Sequence, residues 1–155
     1  MIFRRINRDQ VESVFMAIQN NIGSGTAMTK DAAVQLDITT AVDGIKNVVP
    51  TTAGLWCFTG LVDAAIADQD FGIVQVYGYR SSSIIFQTGT SQAAGLPVIP
   101  TNAVNYMQTT ASSYTFASNT TVSVTQFPYF AMLAESIASS AASATISAKV
   151  FIRAL

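Results

Sequence analysis

The chain has no histidine, a single cysteine, two glutamates and few charges of either sign. Without histidine, the usual general base near neutral pH and the commonest metal ligand are both missing. Cys57 alone permits no intrachain disulfide, no cysteine-based metal site and no CxxC redox pair. It sits in the apolar run Leu55-Trp56-Cys57-Phe58, so a buried, inert thiol is expected. Glu12 and Glu135 lie at opposite ends of the chain, and nothing in the sequence pairs them as acid and base. No enzyme, cofactor or metal site is expected. Charged residues make up 11% of the chain and leave a net charge of −1. Ordinary domains carry about a quarter, and a broadly basic nucleic-acid binder is excluded as the leading idea. No stretch approaches the roughly 18 apolar residues of a membrane-spanning helix. The start, Met1-Ile2-Phe3-Arg4-Arg5-Ile6-Asn7-Arg8-Asp9, lacks the apolar centre of a signal peptide. Synthesis in a cytoplasm, without a membrane partner, is the expectation. Asn119-Thr120-Thr121 matches a glycosylation pattern, but carries little weight without such a signal.

What the chain does contain is small, neutral or apolar. Ala, Ser and Thr supply over a third of the residues, and half of the chain is hydrophobic. A surface so poor in charge is weakly protected against self-association. That favours a chain whose working state is an assembly, with much of its surface covered.

The pattern along the chain is that of strands. Gly54–Arg80 carries two apolar runs, Leu55–Ala67 and Phe71–Tyr79, on either side of Asp68-Gln69-Asp70. This reads as strand, turn, strand, with Gln75 alternating outward between Val74 and Val76. Val11–Asn21 fits a helix by its i, i+3, i+4 spacing and a strand by alternation; the turn chemistry of Asn20–Gly25 favours a strand. Ala33–Ile38, Ile45–Val49 after the Asp43-Gly44 turn, Ser83–Gln87 and Tyr106–Thr109 are further short strands. Leu96–Ile99 is bracketed by Pro97 and Pro100 and is read as an edge or a non-strand segment. Ser113–Ala117, Thr121–Phe127, Pro128–Ala134 and Ile146–Leu155 complete the set. The Ser/Ala tract Ser136–Ser147 resembles a flexible connection with some helix propensity. Short strands with repeated turn signals predict an all-β fold: one small β-barrel or sandwich domain over residues 11–155, few or no helices, and an N-terminal arm over 1–10.

Candidate chemistry is thin. Asp63, Asp68 and Asp70 form the only acidic cluster, and solvated turn aspartates outweigh a cation site. Asp70-Phe71-Gly72 spells the kinase metal-binding tripeptide, but no phosphate loop or catalytic loop accompanies it. Ser81-Ser82-Ser83 has no histidine to activate it. Arg4, Arg5 and Arg8 gather three of the eight basic residues in the arm. They form either a solvated terminus or an anchor for an acidic partner surface. Phe127-Pro128-Tyr129-Phe130-Ala131-Met132-Leu133 is denser in large apolar groups than a lone loop, so Phe127, Tyr129, Phe130 and Met132 are candidates for an oligomer interface.

The order VESVFMAIQNN, TKDAAVQLDITTAVDGIKNVVP, AGLWCFTGLVDAAIADQDFGIVQVYGYR, PTNAVNYM and the ending KVFIRAL resembles small structural proteins of tailed bacteriophages. Those proteins are found among the head genes and are similar to capsid decoration, or cement, proteins. The likeness runs through most of the chain and is weakest from Thr109 to Ser147. It implies a protein on the outside of the virion, often a homotrimer at local threefold positions, that bridges neighbouring major capsid subunits. It brings no catalytic residues. A receptor- or carbohydrate-binding β module of a head or tail fibre is the alternative. There Trp56 reads as buried, and Tyr106, Tyr114 and Tyr129 are the rings free to meet a sugar.

Overall fold

The computed structural model describes residues 12–39, 44–51, 57–109 and 130–154. Five strands come first: β1 (Ser13–Asn20), β2 (Ala33–Leu36), β3 (Lys46–Val48), β4 (Phe58–Val62) and the long β5 (Phe71–Arg80). They are hydrogen-bonded in the order β1-β3-β2-β4-β5, and β5 returns to β1, closing a barrel. Six more strands continue outward from β5 in the order β11-β9-β7-β8-β6-β10. These are β6 (Ile84–Gln87), β7 (Pro97–Pro100), β8 (Met107–Thr109), β9 (Ala131–Leu133), β10 (Ala144–Ser147) and β11 (Val150–Arg153). The all-β class read from the sequence holds, with a barrel as its centre.

Period-two alternation explains the two cores. Ile18, Val34, Val62, Val74 and Val76 point into the barrel, joined by Met28 and Ile66 from the loops at its end. Ala33 and Leu61, one residue along from Val34 and Val62, face the other way. They join Phe58, Ile85, Val98, Met107, Phe130, Leu133, Val150 and Ile152 in a second cluster between barrel wall and outer sheet. Complete burial of side chains such as Ile18 and Leu61 stabilises by about 1.5–3 kcal/mol each.

Strand β5 belongs to both halves. One edge runs along β1 from Gln19↔Phe71 to Ser13↔Gly78. The other edge takes β4 at Val74 and Gln75, then exchanges it for β11 from Tyr77 to Arg80. Gly78 makes this possible. It adopts φ +104°, and a Cβ there would overlap the Glu12 carbonyl oxygen, so β1 can cross only against glycine. A register shift between Val14 and Phe15 absorbs the same crossing on the β1 side.

Val11 lies outside the described residues, and the rest of the Val11–Asn21 span resolves in favour of the strand, since β1 packs Met16 and Ile18 against the barrel interior. Gln75 differs from expectation. It does alternate with Val74 and Val76, yet it is buried, because it lies where β5 forks. Leu96–Ile99 also differs: β7 is an interior strand between β9 and β8. Its prolines stand at the two ends of a four-residue strand, and the residues just before Pro97 carry the ladder to β9, with Gly95 N–H donating to the Leu133 carbonyl and the Leu96 carbonyl accepting from Leu133 N–H. The Ser136–Ser147 tract is more than a connection. Ile137 bridges Gln92, and β10 pairs antiparallel with β6. The final Ile146–Leu155 segment is divided between β10 and β11, which pair with different partners.

Candidate functional site

The outer wall of the barrel carries an apolar stripe built by β1 and β5. Cross-strand partners on one face are Phe15↔Gln75, Ala17↔Ile73 and Gln19↔Phe71. The inward face of the same strands is satisfied by Met16, Ile18, Val74 and Val76. From Gln75 onward the outward face is covered, but nothing described covers Phe15, Ile73 and Phe71. Phe71 is 70% exposed, Phe15 46% and Ile73 45%. The bulge at Val14/Phe15 adds Val14, because two consecutive side chains stand clear of the core there. Scattered apolar residues on a surface are ordinary, but a contiguous set on a rigid sheet marks a contact surface.

The stripe is held rigid by the fork beside it. Arg80, 7% exposed, ends β5 and reaches back under it. Its Nη2 donates to Asp31 Oδ1 at 2.6 Å and to the Val62 carbonyl at 2.8 Å. Nη1 donates to Asp63 Oδ1 at 3.2 Å and Gln75 Oε1 at 3.3 Å, and Nε to Asp31 Oδ1 and the Ser82 carbonyl, both at 3.0 Å. Gln75 Nε2 donates in turn to the carbonyls of Tyr77 and Tyr79 and to Ser13 Oγ. Ser82 Oγ lies 2.9 Å from both Asp31 Oδ2 and Ser147 Oγ. One guanidinium thus ties together β4, β5 and the turn before β2, and the Ser82 hydroxyl extends the cluster to the end of β10. Every donor is engaged within the chain, so the cluster has the character of a joint, not of an anion site. Asp31 stands at φ +66°, a conformation unfavourable for a residue with a Cβ, and its two bonded oxygens hold it there.

The acidic cluster expected from sequence is dispersed. Asp63 faces Arg80, whereas Asp68 accepts backbone N–H bonds from Gly23 at 3.0 Å and Gly25 at 2.9 Å. The bond from Gly25 does most to hold the Asp68 carboxyl below its usual range; desolvation, next in size, opposes it, and the bonds from Gln69 and Gly23 add to the lowering. Among the described residues, no three His, Cys, Asp or Glu side chains gather as a metal group. Cys57 is half-exposed and not buried as expected; it lines a barrel-end cleft of about 290 Å³ with Met16, Leu36 and Val76. Glu135 pairs with Lys149 at 3.0 Å.

Arg4, Arg5, Arg8, Trp56, Tyr114, Phe127 and Tyr129 lie outside the described residues. Phe130 is 9% exposed and packs on Phe58, ring centroids 5.3 Å apart, inside the core that joins barrel and sheet. It has almost no ring surface left to offer a second copy. Met132 on β9 is half-buried. Tyr106 is half-buried and stacks at 5.2 Å on Phe86, so one face of its ring is already occupied.

Phe15, Phe71 and Ile73 escaped the sequence reading, although a signal existed. Both strands are apolar on both faces, which normally marks burial on two sides; here only one side is closed. Comparison with protein-family models and with curated proteins found no match.

Proposed function

We propose that the protein is a non-enzymatic virion component that decorates the outside of a tailed-phage capsid and bridges neighbouring major capsid subunits. The observation that carries this reading is the exposed Phe15–Phe71–Ile73 stripe on a closed, rigid barrel. A closed barrel has no strand edges of its own to offer, so its wall is what a partner can cover. The low charge and the resemblance to head proteins point the same way. The stripe docks on the shell, and Arg4, Arg5 and Arg8 add electrostatic attachment to an acidic capsid surface. The working form is a homotrimer, and the protein needs no nucleic acid, membrane or cofactor.

Binding to assembled capsid, and not to its separated parts, stabilises the particle by mass action, and many copies multiply a modest energy per site. The test is rupture of DNA-filled particles by heat or low salt, with and without this protein. Earlier rupture in its absence supports cementing. Equal rupture together with weaker adsorption to host cells supports the fibre-module alternative instead.

A further inference from the structure

Each described strand except one has a neighbour along both edges. The exception is β10, which pairs with β6 through Ala144↔Gln87, Thr145↔Phe86, Ile146↔Ile85 and Ser147↔Ile84 and has no described strand on its other side. In an antiparallel pair, alternate residues direct their N–H and C=O away from the partner. Such an edge is a template for another strand unless it is guarded by charge, proline or a bulge.

Here the guards are missing. From Ser136 to Ala148 there is no charged residue, no proline and no glycine. The nearest charges on either side, Glu135 and Lys149, are tied to each other at 3.0 Å and do not screen the strand. The edge is also held in place from within. Ile137 bridges Gln92, Gln87 Nε2 donates to the Ala138 carbonyl, and Ser147 Oγ meets Ser82 Oγ at 2.9 Å. The template therefore exists before a partner arrives, which lowers the ordering cost of binding.

We infer that the edge of β10 that no described strand covers accepts an extended, uncharged segment of the shell protein as an added strand. The chemistry of that segment follows from the two faces of β10. Ile146 is half-buried against the core shared by barrel and sheet, so the added strand continues that core with an apolar side chain beside it. Thr145 points to the opposite, exposed face, so a small polar residue belongs there. The expected partner alternates apolar and uncharged polar residues over about four positions. A second copy is the weaker occupant. The same edge paired with itself is two-fold symmetric, and two four-residue strands bury far less than the roughly 1,000 Å² of a lasting dimer. So short a strand is effective as one contact among many on a repetitive shell.

This inference rests on the decoration reading, and the experiment separates the two. Shells stripped of the protein are titrated with wild type, Thr145→Lys and Thr145→Val, and occupancy is read by co-sedimentation. Amide exchange of residues 144–147 is followed free and shell-bound, and thermal melting checks the fold. Thr145 is exposed, so all three proteins should melt alike. Thr145→Lys should bind about tenfold more weakly or worse, equivalent to losing one or two net hydrogen bonds. Thr145→Val should bind as wild type does, and the β10 amides should gain protection on shells. Equal binding of Thr145→Lys with unchanged exchange overturns the strand inference and leaves the decoration reading standing. Self-association of the free protein that Thr145→Lys abolishes makes a second copy the occupant and also overturns it. Failure of wild type to bind shells removes the decoration reading itself.

Discussion

In the barrel, five strands close on themselves and each has two neighbours, whereas beyond β5 the described sheet runs six strands outward, with β10 the last of them. The two regions share β5 and one core, yet they present different things to the outside. Closure leaves the barrel a face, the stripe of Phe15, Phe71 and Ile73. Openness leaves the sheet an edge, β10, which no described strand covers. A face is bound through apolar area and an edge through backbone hydrogen bonds, so substitutions should separate the two. The regions are also joined differently from how each is built. Each is packed by Val, Ile and Leu, but the fork between them is held by Arg80 with Asp31, Asp63 and Gln75.

The joint is the place to break the comparison most severely. Arg80→Met leaves Asp31 Oδ1 and Gln75 Oε1 without the guanidinium that donates to them, and should cost about 3–5 kcal/mol. Urea unfolding is expected to show the lower midpoint. A biphasic curve, with barrel and sheet separating, would sharpen the role of Arg80 as the connection. Next in size, Phe130→Ala removes a ring that packs on Phe58 in the shared core. It should cost about 3 kcal/mol, the lower end for such truncations, because the ring retains some exposure. The same measurement reads it, and an unchanged midpoint would move Phe130 back to the surface.

A third substitution does the opposite. Phe71→Ser acts on a side chain that the barrel does not need, so stability should change by less than about 0.5 kcal/mol. Light scattering should nevertheless show weaker self-association of the free protein at high concentration. The smallest effect is in acid. Asp68 has its folded pKa depressed by the Gly25 and Gly23 amides, so its contribution is complete above the ordinary carboxylate value of 3.8 and is lost as pH falls through the lowered one. Amide exchange at Gly23 and Gly25 should quicken over that acidic range in wild type. In Asp68→Asn, which carries no charge to lose, that step should be absent.

Much of the fold was legible because alternation is a local signal. The strands around Ile18, Val34, Val62 and Val74 follow directly from it. What alternation does not carry is which strand takes which neighbour. Gln75 looks like any outward polar residue until β11 replaces β4 beside it, and Pro97 and Pro100 look like edge markers until β8 and β9 are found on both sides of their strand. Ser136–Ser147 hid β10 because small residues give no hydrophobic contrast. The stripe was half-visible: two strands apolar on both faces require a cover for each, and sequence alone does not tell which one the barrel supplies. Arg80 was a single charge closing an apolar run, and its partners at Asp31 and Asp63 are distant in sequence.

The central claim is that the barrel wall is a shell-binding face. Its most direct test is saturation binding of wild type and of the double variant Phe71→Ser/Ile73→Thr to stripped, DNA-filled shells, with both proteins first shown to melt alike. Wild type should reach a fixed copy number per shell, and the double variant should bind about tenfold more weakly or worse, as expected from the apolar area it removes. Equal saturation by both proteins, or no binding by wild type, would contradict the claim.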